Sequence, residues 1–85
     1  VINSTKSMTG HLLGAAAAIE AIATVLSLKE GIIPPTINQF ERSPEINPHW
    51  NMAANKAVKR DINTAISNSF GFGGHNVSIL FKKVK

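Results

Sequence analysis

From Leu12 to Leu28 every position is apolar or small except Glu20, Thr24 and Ser27. The span His11 to Glu30 is rich in alanine and free of proline, which favours helix. Gly31, then Pro34 and Pro35, supply a stop. The pattern predicts one helix from His11 to about Glu30, roughly 30 Å long. Its three polar positions form one thin line, as expected of a helix buried nearly all round. Gly14 and the alanines would let neighbouring elements approach closely. Ahead of the helix, Val1-Ile2-Asn3-Ser4 starts β-branched and ends polar, like a short strand entering a turn. Ser7 or Thr9 is placed to cap the helix.

Beyond the prolines, residues 36–60 (TINQFERSPEINPHWNMAANKAVKR) hold two more prolines, several asparagines and scattered apolar anchors at Ile37, Phe40, Ile46 and Trp50. This reads as a surface-hugging loop with short turns. Residues 61–69 then read as a strand, Phe70 to Asn76 (FGFGGHN) as a glycine-rich turn, and residues 77–84 as a second, antiparallel strand. No repeat or low-complexity tract interrupts the chain.

Eighty-five residues make at most one small domain with a modest core. A helix apolar on nearly all sides cannot be wrapped by so few residues, so its remaining cover is expected from another chain or from further sequence. Nine Lys plus Arg against five Asp plus Glu give a formal charge of +4, which favours acidic partners in general. Lys56, Lys59 and Arg60 lie close together, and Lys82, Lys83 and Lys85 close the chain. With no cysteine, these residues hold no disulfide, thiolate ligand or thiol nucleophile. The sequence opens on Val1 without the basic and apolar segments of a signal or transit peptide. Glu20, Gly14 and the weakly apolar alanines argue against a membrane span.

Glu20 is the first candidate for chemistry, because a carboxylate within an apolar helix is costly unless a cation or several donors meet it. Lys6, in the turn before the helix, is the candidate cation; the alternative is that Glu20 faces solvent. His11 falls in the predicted first helical turn, where free N–H groups and the helix dipole favour an uncharged ring. Such a ring can donate one hydrogen bond to an oxygen that is gaining negative charge, or it can simply cap the helix. In FGFGGHN the glycines fit plain turn chemistry, or they expose an N–H group for an oxyanion hole. The turn lacks the Lys-Ser/Thr of a phosphate-binding loop. SFGFGG partly matches the aromatic run of RNA-binding sheets, but without the preceding basic residue or a continuing strand. His49 and His75 have no companions at metal-ligand spacing, so no metal is assigned.

Taken together, NSTKSMTGHLLGAA, IPPTIN, ISNSFGFGGHN and the closing VSILFKK resemble, in order and spacing, the C-terminal part of a β-ketoacyl-acyl-carrier-protein synthase of the elongating type. The resemblance covers essentially the whole chain. It implies an α/β fold: the C-terminal portion of a thiolase-like layered α-β-α architecture, with one long buried helix between sheets and a C-terminal antiparallel strand pair. Residues 1–85 would form part of one ketosynthase domain with no internal boundary. In this family a cysteine carries the acyl group, malonyl-carrier protein loses carbon dioxide, and the enolate so formed attacks the acyl thioester.

By this resemblance His11 matches the second of two enolate-stabilising histidines, and Lys6 the active-site lysine, paired with Glu20. Phe72 matches the residue whose N–H joins the oxyanion hole and whose ring gates the acyl pocket. Phe70, Gly71, Gly73, Gly74 and Asn76 belong to the same supporting turn. Two positions depart from the common pattern. Ala17 stands where glycine is usual, at a cost of about 1–3 kcal/mol if the site is tight. His75 stands where many bacterial members have threonine.

The cysteine and the first histidine would precede Val1, so the 85 residues alone are expected to be inactive. The resemblance further implies a homodimer, an acyl carrier protein as partner and no cofactor. It implies no nucleic acid and no membrane span. The compartment would be a bacterial cytoplasm, or a plastid or mitochondrial matrix, and not the secreted space. Two alternatives stand beside this reading: a non-catalytic relative or truncated product that lacks the nucleophile, and, more remotely, an RNA-binding module.

Overall fold

A computed structural model describes residues 1–84. In chain order the elements are α1 (Lys6–Thr9), a single 3-10 turn (Leu13–Ala15), α2 (Ala16–Glu30), β1 (Ile32–Ile33), β2 (Val58–Lys59), β3 (Thr64–Gly71) and β4 (His75–Lys82). The strands form two separate antiparallel pairs, β1 with β2 and β3 with β4.

The predicted helix from His11 is divided. Gly10, at φ +77°, ends α1 with its N–H on the Lys6 carbonyl, and Leu13, at φ +52°, turns the chain again. Two left-handed residues so close together interrupt the α-helical ladder, and the long helix begins at Ala16. Ser7 and Thr9 therefore lie inside α1 and cap nothing; Thr5 and Ala15 occupy the N-cap positions without side-chain cap bonds. Ser7 Oγ instead accepts the Ile37 N–H at 2.9 Å, which ties the segment after β1 to α1. The C-terminus of α2 ends where the sequence predicts. Gly31 is left-handed at φ +67°, its N–H donates to the Ser27 carbonyl, and a Cβ there would lie 3.4 Å from the Arg60 carbonyl oxygen.

Val1 to Ser4 do not form the expected strand. They are held by single bonds: Ile2 N–H to the Asn51 carbonyl (2.9 Å), the Asn3 amide to the Pro34 carbonyl (2.7 Å) and Ser4 N–H to Thr36 Oγ1 (2.8 Å). A strand needs a continuous ladder, and the described residues offer only these separate partners. Conversely, the 36–60 loop conceals β2, which pairs Val58 with Ile33 and Lys59 with Ile32. Thr36 also bridges to Ala54 in parallel. Two-residue strands carry no readable alternation; this one is set by partners more than twenty residues away in sequence.

The β3–β4 ladder runs from Thr64 opposite Lys82 to Gly71 opposite His75, so the strands continue further into the glycine-rich segment than predicted. Phe70, Gly71, His75 and Asn76 are strand residues, and the connecting loop is Phe72-Gly73-Gly74. Gly73 and Gly74 sit at φ +84° and +83°, a backbone that only glycine adopts freely.

Helix α2 packs on β3 in an unusual orientation. Its buried or half-buried residues are Ala16, Glu20, Ala21, Ala23, Thr24, Ser27 and Leu28, while Ile19, Ile22, Val25 and Leu26 are exposed. The polar line faces inward and the bulky apolar ridge outward. This arrangement is possible because the hydroxyls are satisfied on the helix itself: Thr24 donates to the Glu20 carbonyl (2.8 Å) and Ser27 to the Ala23 carbonyl (2.7 Å). The chain thus covers one side of α2 and leaves the other open. Gly14 and Ala17 meet no close neighbour here, since a Cβ at Gly14 would enter open space and Ala17 is exposed. Among the described residues the buried apolar ones are Ala16, Leu28, Ile33 and Ala53, a small core.

Candidate active site

Lys6 opens α1 and Glu20 lies in the second turn of α2. The bend through Gly10 and Leu13 folds α1 back so that the Lys6 ammonium donates to Glu20 Oε1. The pair is partly buried, with Glu20 the more enclosed. It lines a cleft of about 520 Å³ between the N-terminal segment, α2 and β3, whose polar walls include Asn3, Ser4, Thr24, Ser67 and Asn68. The partner inferred from the cost of burying Glu20 is therefore the one observed.

His11 occupies the turn between α1 and the 3-10 segment, is exposed, and does not line that cleft. The expectation that it sits in the first turn of the long helix is corrected by the later start at Ala16. Its ring is held by a different contact: the Leu13 N–H donates to His11 Nδ1 at 3.0 Å. A ring nitrogen that accepts an N–H carries no proton, so in the neutral ring this contact places the proton on Nε2. Nε2–H remains as a directed donor. Sequence reasoning missed Leu13, and no compositional signal marks a leucine with left-handed backbone.

Phe72 stands at the hairpin apex with its side chain fully exposed (104%). Phe70 is exposed and pairs with Asn76 in the ladder. Gly71 closes the ladder opposite His75, and a Cβ on Gly73 would lie 3.7 Å from the His75 ring. The structure thus brings Lys6 and Glu20 together, while His11 and the Phe70–Asn76 segment present their groups outward from separate elements. Among the described residues no group of three or more His, Asp or Glu is arranged to hold a metal ion. No described helix is long and apolar enough to cross a membrane.

The family profile described as "Beta-ketoacyl synthase, C-terminal domain" matches residues 1–40. The chain is 52% identical over 84 residues to 3-oxoacyl-[acyl-carrier-protein] synthase I, chloroplastic, of Hordeum vulgare, covering 99% of this chain and 18% of that protein. It is 55% identical over 84 residues to 3-oxoacyl-[acyl-carrier-protein] synthase 2 of Vibrio harveyi, covering 99% and 20%. Among solved structures, a type II polyketide ketosynthase in complex with its acyl-carrier protein superposes with a TM-score of 0.90 at 38% identity, covering 99% of this chain and 20% of that one. The ishigamide ketosynthase/chain length factor gives 0.90 at 37%, covering 98% and 20%. The chain spans about one fifth of the length of these relatives. The α/β fold expected from the resemblance is the one these neighbours share. On sequence and fold together, the chain belongs to the β-ketoacyl-acyl-carrier-protein synthase family and corresponds to its C-terminal part.

Proposed function

We propose that these residues serve, within a complete synthase, the decarboxylative condensation of an acyl thioester with malonyl-acyl-carrier protein in fatty acid elongation. The observation that carries this reading is identity of 52–55% over 84 residues with 3-oxoacyl-acyl-carrier-protein synthases. Identity to the type II polyketide ketosynthase is lower, at 38%, which favours the fatty acid branch.

In this reaction the acyl group waits as a thioester on a cysteine supplied from outside these residues. The bond between the malonyl methylene and its carboxylate breaks, carbon dioxide leaves, and the electron pair passes into an enolate with negative charge on oxygen. His11 Nε2–H is the donor for that oxygen, and a donor already oriented in the resting protein needs no rearrangement as charge develops. The enolate carbon then attacks the acyl carbonyl, and collapse of the tetrahedral adduct expels the cysteine thiolate. The Phe72 N–H contributes to the oxyanion hole of this second step, while its ring gates the acyl pocket. Gly71, Gly73 and Gly74 hold that loop in its tight path, with Phe70 and Asn76 paired beneath it. Lys6 and Glu20 organise the surroundings of His11 and attack nothing.

The partner proposed is an acyl carrier protein, in keeping with the ketosynthase complex among the structural neighbours. The exposed Lys56, Lys59 and Arg60 suit its acidic surface by charge. We place the complete enzyme as a homodimer in a bacterial cytoplasm, or in a plastid or mitochondrial matrix. The test is condensation by the complete protein with acyl- and malonyl-carrier protein, alongside its His11→Ala variant. Turnover that the variant lacks is expected. A complete protein without turnover would instead be a non-catalytic relative, and a fully active variant would remove His11 from the chemistry.

A further inference from the structure

Helix α1 is a single turn of four residues without a side-chain cap bond, and none of the four is buried. An isolated turn is unfavourable by itself, because its few hydrogen bonds fix several backbone dihedrals, so α1 stands only where the rest of the chain holds it. The hold comes from Thr36. Pro34 and Pro35 restrict the backbone that leads into this residue. Its N–H donates to the Ala53 carbonyl at 3.0 Å, and its carbonyl accepts the Asn55 N–H at 2.8 Å. Ala53 is 1% exposed, so the anchor is set in the small core. From there the Thr36 hydroxyl reaches Ser4, accepting the Ser4 N–H at 2.8 Å and donating to the Ser4 carbonyl at 3.4 Å. The adjoining Ile37 N–H donates to Ser7 Oγ at 2.9 Å. These contacts fall on either side of Lys6, whose ammonium meets Glu20.

We infer that Thr36 is a positioning residue for the condensation: its hydroxyl clamps the backbone of Ser4 and, with the Ile37 N–H on Ser7, fixes α1 so that Lys6 is held against Glu20. The inference rests on the supporting role proposed above for Lys6. Thr36 is half-buried and does not line the cleft that Lys6 and Glu20 share, so it acts through Lys6 and not on substrate. One oxygen makes both bonds to Ser4, which a hydroxyl can do and a methyl cannot. Serine therefore keeps the clamp, while valine, of nearly the same shape, leaves the Ser4 N–H without its partner. Misplacing a group near the chemistry by about 1 Å costs up to about 100-fold in rate, so a clamp outside the cleft has a kinetic consequence.

The test uses the complete synthase and measures carbon dioxide release from malonyl-carrier protein for Thr36→Val, Thr36→Ser, Lys6→Ala and the double variant Thr36→Val with Lys6→Ala. Thr36→Val is expected to lower kcat about tenfold while KM stays within about twofold, and Thr36→Ser to recover most of the rate. Added to Lys6→Ala, Thr36→Val should bring no further loss, because two residues that act through one contact are not additive; a merely structural role would lower both backgrounds alike. Thr36→Ala, which leaves room for a water at the Ser4 N–H, serves where the valine variant does not fold. Wild-type kcat in the valine or alanine variant, or an undiminished loss in the Lys6→Ala background, overturns the inference and leaves the proposed reaction standing. If Lys6→Ala itself keeps the wild-type rate, the proposed role of Lys6 fails, and a crystal structure of Thr36→Val then decides the positioning: separated Lys6 and Glu20 uphold it, and an intact contact overturns it.

Discussion

Lys6 and Glu20 sit fourteen positions apart on two different helices, yet their charged ends meet. A half-buried carboxylate without its cation keeps its desolvation cost and loses the attraction that offsets it. Glu20→Ala and Lys6→Ala are each expected to destabilise the complete enzyme. In a double-mutant cycle read from denaturant midpoints, the pair should show a coupling of about 0.5–3 kcal/mol, and strictly additive effects would mean that the contact contributes nothing. This pair was legible in the sequence because the cost of a carboxylate among Ile19, Ala21 and Ala23 demands a counter-charge, and Lys6 lies in the turn before the helix. The setting of His11 was less legible. Helix propensity is interrupted near the start only by Gly14, and nothing in it reveals that Leu13 adopts a left-handed backbone and that α2 starts at Ala16. What holds the ring is a hydrogen bond from the Leu13 N–H to its Nδ1 and not the start of a helix.

Among the elements, the end of α2 was readable to the residue and its start was not. Glycine before a proline pair states its purpose locally, whereas the break at 10–13 depends on a strained leucine. At Gly31 the positive φ strains any side chain, while a Cβ would come into van der Waals contact with the Arg60 carbonyl. Gly31→Ala should therefore cost about 1 kcal/mol, seen as a lower denaturant midpoint with an unchanged slope; an unchanged midpoint would show that the turn relaxes freely. The β3–β4 hairpin was legible because apolar runs flank a glycine-rich turn. Its register, with the ladder reaching Gly71 and His75, was not, since turn residues and the last strand residues share the same composition. Strand β2 was hidden for a different reason: a two-residue pairing is decided by where β1 comes to lie, which local pattern does not encode.

The orientation of α2 links the fold to the rest of the enzyme. Periodicity showed a helix with one polar line but could not tell which side its own sheet would take; the structure shows the sheet taking the polar line. The ridge Ile19, Ile22, Val25 and Leu26 is left uncovered by this chain, which spans about a fifth of the length of its relatives. So large an uncovered apolar surface predicts self-association. The isolated 85 residues should elute from a sizing column as oligomers or aggregate at micromolar concentration, and a monodisperse monomer with a cooperative melt would show that the ridge is tolerated in water. The candidate site shares this dependence, because Lys6 and Glu20 are assembled within the chain while His11 and Phe72 point outward from it.

The role of His11 is tested most directly by separating the two halves of the reaction in the complete synthase. Transfer of the acyl group to the enzyme and release of carbon dioxide from malonyl-carrier protein are measured independently for the wild type and for His11→Ala. Acyl transfer is predicted to persist in the variant, while carbon dioxide release falls at least about 100-fold, the scale expected for loss of one oriented donor to a developing oxyanion. Release of carbon dioxide at the wild-type rate by the variant would contradict it.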